Sequence, residues 1–231
     1  MKIAIRGGHN YGVPGASGVL NEVAEDRKVY AKVIEYLKKL GHEVLDVTPN
    51  KTSTSAEDLS FGVSKANSWG ADYFCSIHFN AGGGRGTEVL YYNGSSKGKS
   101  KAEKIANKIA GFGFVNRGAK VDTRGLYELR NTKMPANIIE VCFVDSNVDA
   151  ELYRKVGVSN IARAIAEGIT GQTIKVESEV KGNKYTVNYC LEFQKWYNKI
   201  TQTRAPLTED GVYGPATEKA LQKIINIIRE F

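Results

Sequence analysis

Cysteine, histidine and proline are scarce in this chain of 231 residues, which holds three, three and five of them. Each shortage excludes something. Cys75, Cys142 and Cys190 are odd in number and irregularly spaced, so they do not make a disulfide framework. Cys75 and Cys142 stand inside apolar strands, where a thiol behaves as a small hydrophobe. That usage suits a protein made in a reducing compartment. No apolar run reaches the ~20 residues that span a bilayer, so membrane insertion is not expected. The amino terminus lacks the basic, apolar and cleavage-site regions of a signal peptide, so synthesis in the cytoplasm is expected. Internal repeats and low-complexity tracts are missing as well.

The composition that remains is that of a globular protein, 42% hydrophobic and 25% charged. The net charge of +7 suits an anionic polymer, such as nucleic acid, an acidic membrane or a wall rich in phosphate and carboxylate. No nucleic-acid motif accompanies the charge, which is spread along the chain, so a nucleic-acid partner is not expected. The densest cluster, "SSKGKSKAEK", reads as a solvated helix face.

"KIAIR" alternates apolar and polar residues and predicts a strand over Lys2–Arg6, after which Gly7 and Gly8 permit a tight turn. A Gly-rich loop leads to a helix over 22–40, with Asn21 as its N-cap and Val29, Val33, Leu37 and Leu40 facing a sheet. "HEVLDVT", "DYFCSIHF", "TEVLYYN", "GLYELR" and "ANIIEVCFV" read as further strands. Helices are predicted over 56–69, 99–110 and 148–168. Strands alternating with helices make an α/β fold, a twisted, mostly parallel sheet flanked by helices, over residues 1–172. Residues 173–184 read as a polar linker. Residues 185–231 read as a small all-α C-terminal domain, its helices in "TVNYCLEFQKWYN" and "PATEKALQKIINIIREF" joined by the turn-rich "LTEDGVYG".

Four residues can carry chemistry. His9 follows the first strand, at the carboxyl end where α/β sheets bind ligands, though taken alone a loop or capping histidine is the plainer reading. His78 shares one face of its strand with Phe74 and Ser76, while Cys75, Ile77 and Phe79 share the other; it is either a satisfied core histidine or a ligand. Glu140 interrupts an apolar strand and must be protonated, paired or near a cation. Glu22 opens the first helix on the face of Val29, with Glu25 as its rival one turn on; a helix N-terminus also favours acids through its dipole. His42 follows a helix-ending glycine and reads as exposed. Two imidazoles and a carboxylate suit a catalytic zinc site with an open position for water, and a further carboxylate could take that water's proton.

"GGHN", "GVLNE", "SIHFNA" and "IIEVCFVDS", in this order, resemble the zinc-dependent N-acetylmuramoyl-L-alanine amidases of the Amidase_3 type over about residues 1–170. The resemblance implies cleavage of the amide bond between N-acetylmuramic acid and L-alanine in peptidoglycan. It implies Zn²⁺ ligands His9, Glu22 and His78 and a catalytic carboxylate Glu140. One departure is visible: many members begin with Asp-Pro-Gly-His, and here the segment is "RGGH". Asn80, Arg117 and Arg124 are candidate substrate contacts, with Lys120 and Arg130 nearby; ordinary exposed charge is the simpler account of each cation. The tail is similar to the small three-helix peptidoglycan-binding domain, through Asp210, Gly211, Gly214 and Thr217. Trp196, Tyr197 and Tyr213 could there pack on sugar rings or lie in the core. The missing leader and unpaired thiols suggest a phage or prophage endolysin, with a bacterial autolysin as the alternative. A zinc peptidase acting on the stem peptide and a non-catalytic wall-binding protein are the remaining rivals.

Overall fold

The computed structural model describes residues 1–174, 184–201 and 206–229. The chain divides into two compact units, Met1–Ile174 and Lys175–Phe231. The first is an α/β layer structure around one six-stranded sheet. Its strands are β1 (Lys2–Gly7), β2 (Glu43–Asp46), β3 (Tyr73–Asn80), β4 (Thr87–Tyr91), β5 (Asn116–Val121) and β6 (Ala136–Phe143). Its helices are α1 (Glu22–Lys39), α2 (Ser55–Trp69), α3 (Ser96–Ala110), α4 (Tyr127–Asn131), α5 (Asn147–Val156) and α6 (Val158–Thr170).

The sheet order is β2-β1-β3-β6-β4-β5, and the expected mostly parallel α/β arrangement is present. β1, β2, β3 and β6 run parallel, while β4 pairs antiparallel to β6 and parallel to β5. The alternation in β3 sorts its side chains as expected. Tyr73, Cys75, Ile77 and Phe79 enter the larger core with Val29, Val33 and Leu37 of α1, Ile105 of α3 and Ile165 of α6. Phe74 enters the smaller core on the opposite face, with Ala66 of α2 and Leu129 of α4. Both faces of the central strands are therefore covered, as in parallel sheets generally.

Local signals set the helix ends. The Asn21 side chain accepts the Ala24 N–H, and Thr54 and Glu57 form a reciprocal capping box at α2. Three expectations are corrected. "GLYELR" is not a strand, because Asp122 accepts the Arg124 and Leu126 N–H groups and turns the chain into the short helix α4. The helix expected over 148–168 is two helices, broken at Gly157, whose φ of 79° suits glycine. β5 escaped the sequence reading because "NRGAKV" has almost no apolar face, as befits an exposed edge strand rich in charge. His42 is partly buried, its ring nitrogens next to Gln172 Oε1 and the amino terminus.

The second unit contains α7 (Lys184–Thr201) and α8 (Pro215–Arg229). Tyr197, Leu207 and Ala220 form its core, with Phe193 and Ile224 packed against them. The Gln194 amide binds Asp210, Val212, Thr217 and the Gly211 N–H, so the Asp-Gly turn and Thr217 serve the fold. The linker expected over 173–184 lies almost wholly outside the described residues. Among the described residues, no helix is long and apolar enough to cross a membrane.

The first unit extends two residues past the expected boundary at 172. Ile174 packs against the larger core, and its N–H donates to Glu167 Oε1 at 2.9 Å. A chain ending at Ile174 should therefore unfold cooperatively in urea. One ending at Gly171 should be less stable by about 1–2 kcal/mol, from part of an isoleucine's burial plus one hydrogen bond. Equal midpoints for the two truncations would contradict this placement.

Candidate metal centre

β1, β3 and β6 end side by side, and the carboxyl ends of these parallel strands carry His9, His78 and Glu140. Gly8 continues the pairing past β1, donating to Ile77 O at 2.7 Å. It must be glycine, because a Cβ there would overlap the His78 imidazole. Gly15 has φ 71°, and a Cβ there would overlap Glu22 and His9. The glycines around the first loop thus bring backbone within reach of the imidazoles.

His9 is held from several sides. Its N–H donates to Asp26 Oδ2 at 3.0 Å, and Arg27 donates to its carbonyl at 3.3 Å and to that of Pro49 at 2.9 Å. The Arg27 guanidinium also stacks over Tyr11, 5.0 Å from the ring centre. His9 Nδ1 lies 3.1 Å from Val13 O, a contact that needs a proton on Nδ1 and turns Nε2 toward Glu22. Burial pushes Asp26 up to about 7, against its bond from the His9 N–H.

Glu22, buried at the first turn of α1, joins the two imidazoles. Its Oε2 accepts the Ala16 N–H at 2.8 Å, and its Oε1 accepts the Phe79 N–H at 3.0 Å. The same Oε1 stands 3.2 Å from His78 Nδ1 and 3.3 Å from His9 Nε2. One donor atom from each of the three residues lies within 4.8 Å of the others. Two ligand atoms at about 2.0–2.1 Å from one tetrahedral cation stand about 3.3 Å apart, so the donor set and spacing fit a small dication. Burial opposes ionisation of Glu22, but hydrogen bonds from both histidines outweigh it and hold the carboxyl well below the usual range. The rival Glu25 points elsewhere, accepting from Tyr153 Oη at 3.0 Å and Lys28 Nζ at 2.8 Å.

Glu140 pairs in register with His78 of β3 and with Glu88 of β4. It lines a cavity of about 200 Å³ with His78, Arg124, Leu126, Glu128 and Ile138. Its Oε2 is buried and has no hydrogen-bond partner. Burial, helped by the charges of Glu22 and Glu88, pushes its pKa up to about 7, against His78 and Arg124. Asn80 and Arg117 do not reach into this cavity. Both are held by Glu88, at 3.0 and 2.6 Å, with Arg117 lying over Phe143. Arg124 is exposed at the cavity, while Lys120 and Arg130 are plain surface cations. In the second unit Trp196 and Tyr213 are about half exposed, and Tyr197 is buried in the core.

Two buried acids escaped the sequence reading. Asp58 pairs with Arg6 NH2, and Glu128 of α4 lies 3.4 Å from Arg6 NH1 while accepting from Ser76 Oγ at 2.7 Å. Burial works against charge on Glu128, but Arg6 and His78 overcome it and keep its pKa below the ordinary value. Burial likewise opposes charge on His78, yet Glu128 and Glu22 raise its pKa well above the usual one.

A family model described as N-acetylmuramoyl-L-alanine amidase, Amidase_3, matches residues 3–171. An uncharacterized protein of Clostridium perfringens is 40% identical over 223 residues, covering 94% of this chain and 64% of its own length. The N-acetylmuramoyl-L-alanine amidase CwlM of Bacillus licheniformis is 36% identical over 174 residues, covering 73% of this chain and 67% of its own. Among solved structures, the catalytic domain of an endolysin targeting Clostridia Difficile superposes with a TM-score of 0.70 at 36% identity. That match covers 75% of this chain and 99% of the endolysin domain. The chain spans under two thirds of the length of its two Clostridium perfringens relatives.

The geometry separates the two candidate carboxylates. Glu22→Gln should weaken binding of a divalent cation by at least about tenfold, as expected when one of three ligands is lost. Glu25→Gln should leave it within about twofold. Competition with a chromophoric chelator measures both, and the reverse order would put Glu25 in the centre.

Proposed function

The chain belongs to the Amidase_3 family of N-acetylmuramoyl-L-alanine amidases, and on that premise we propose that it hydrolyses the amide bond between N-acetylmuramic acid and L-alanine in peptidoglycan. The observation that carries the reading is the buried, partnerless Glu140 Oε2 beside the His9–Glu22–His78 cluster. An unpaired carboxylate oxygen in that position is costly for the fold and useful to a hydrolase.

His9 Nε2, Glu22 and His78 Nδ1 would hold Zn²⁺. When bound, zinc supplies Lewis-acid polarisation and acidifies water. The chain's own part begins with Glu140, whose free oxygen takes a proton from the attacking water. The same carboxyl then returns that proton to the departing alanine nitrogen. In the metal-free site burial raises this carboxyl to about 7, so it holds a proton more readily than an exposed glutamate, as a group that must both take and give a proton requires. Leu126 and Ile138 keep bulk water from the inner wall of the cavity, and Arg124 at its rim offers a cation to a stem-peptide carboxylate. Asn80 and Arg117 act at most through Glu88, which already binds them.

The likeness to an endolysin catalytic domain supports a lytic role in which the enzyme is made in the cytoplasm and reaches the wall on release. Three free, buried cysteines agree with that compartment. For residues 175–231 we propose wall binding, with Trp196 and Tyr213 as the exposed aromatic surfaces. The full chain should sediment with purified walls, and the Trp196→Ala/Tyr213→Ala double variant should remain more in the supernatant. Equal sedimentation would remove these rings from binding.

Product analysis tests the reaction. Digested peptidoglycan should release intact stem peptides with a free L-alanine amino group; shortened peptides still attached to glycan would indicate the peptidase instead. Glu140→Gln should retain zinc and lose at least about 10²-fold in rate. It should also change stability with a definite sign. Because folding raises this carboxyl from 4.5 to about 7, the folded state holds its proton more tightly than the unfolded chain. The resulting stabilisation is complete below about pH 4.5 and is lost as the pH rises from there through 7, by on the order of 3 kcal/mol. Urea titrations of metal-free wild type and Glu140→Gln at pH 5 and pH 8 should show the variant gaining on wild type at the higher pH. An unchanged gap would mean that Glu140 ionises normally.

A further inference from the structure

On the far side of the His78 ring from Glu22 lies a buried carboxylate that the proposed reaction does not use. Glu128 Oε2 accepts from Ser76 Oγ at 2.7 Å and stands 3.9 Å from His78 Nε2. Ser76 and His78 share one face of β3, so α4 lays Glu128 along both. His78 Nε2 and Glu128 Oε1 are both buried without a hydrogen-bond partner. The oxygen that faces Nε2 is Glu128 Oε2, while Oε1 lies 3.4 Å from Arg6 NH1; a buried, partnerless imidazole nitrogen beside a carboxylate is best explained as a contact that closes in a particular state of the site. The state that closes it is one in which His78 Nδ1 gives up its lone pair, because Nε2 must then carry the proton.

The charges point the same way. Arg6 is fully buried, and Asp58 already neutralises it while the carbonyls of Gly7, Gly8 and Asp58 accept its other N–H groups. Glu128 therefore adds a second negative charge to a buried group holding a single positive one. That surplus negative charge faces the imidazole.

We propose that Glu128 is a positioning residue for the metal centre: it accepts the Nε2–H of His78, fixing the ring's tautomer and orientation so that Nδ1 faces the cation held with His9 and Glu22. Ser76 holds the carboxylate in place, and Arg6 anchors it from behind. The inference rests on the zinc reading above. Partners of this kind, behind a ligating histidine, are commonly worth ~10–100-fold in metal affinity.

The test measures zinc affinity of the full chain by chelator competition, together with the tautomer of His78 in ¹⁵N-histidine NMR spectra of zinc-loaded protein. Glu128→Gln keeps the shape and one acceptor oxygen, and Asp58 still pairs with Arg6, so the variant should fold. Its zinc Kd should rise about tenfold, and that of Glu128→Leu further, toward a hundredfold. The wild-type spectrum should show Nε2–H protonated and sheltered, with exchange of that proton faster in both variants. A merely structural Glu128 would lower the melting temperature of metal-free protein and leave Kd within twofold, which would overturn the proposal. Glu22→Gln serves as the control for the parent reading. If it also leaves Kd unchanged, the three-residue centre itself is wrong; if it abolishes binding while the Glu128 variants bind normally, only the role of Glu128 falls.

Discussion

A single carboxylate oxygen, Glu22 Oε1, joins the three parts of the chain that make the site. It accepts the backbone N–H of Phe79 at the end of β3 and faces the donor nitrogens of both His9 and His78. Glu22 in turn is placed by the first turn of α1, capped by Asn21, and by the Ala16 N–H from the loop it closes. Without it the β1 loop, α1 and β3 would still pack through their apolar faces. The two imidazoles would then have no common acceptor, and no reason to lie edge to face with centres 4.9 Å apart.

Much of this was legible in the sequence because parallel strands obey simple alternation. "DYFCSIHF" put Ser76 and His78 on one face and the larger core on the other, and "ANIIEVCFV" set Glu140 against the grain of its neighbours. Alternation in "KIAIR" predicts a strand but not the surroundings of Arg6, which is fully buried on the side that α2 and α4 cover. A buried arginine demands carboxylates, and this was the available signal for Asp58 and Glu128. Glu128 stayed hidden for a second reason. It sits in a helix of five residues, too short for any periodicity, whose start is set by the Asp122 side chain. Local strand propensity in "GLYELR" lost to that turn. The partner that holds Asn80 and Arg117, Glu88, lies on β4, whose antiparallel pairing with β6 no local pattern announces.

The Arg6 cluster also shows what the fold gives up for the site. Buried ion groups add little stability over a well-packed apolar alternative, and removing one member is expensive. Here the cluster ties β1 to α2 and α4, which contribute Leu59 and Glu128 to the cavity wall. Its value is in geometry: it fixes α4 against the His78 face of the sheet, where apolar contacts alone would allow the helix to slide.

The ligand-bearing elements have an order along the chain. β1 and α1 are made early, but β3 follows only after β2 and α2, and α4 and β6 come later still. During synthesis His9 and Glu22 therefore emerge well before the second imidazole. A ribosome-bound chain that has not yet paired β3 beside β1 holds two of the three donors and cannot enclose an ion. The cluster of His9, Glu22 and His78 closes only on the pairing of β1 with β3, so its completion reports that the middle of the sheet has formed. Glu140 arrives last, on β6, once the other walls of its cavity have been made.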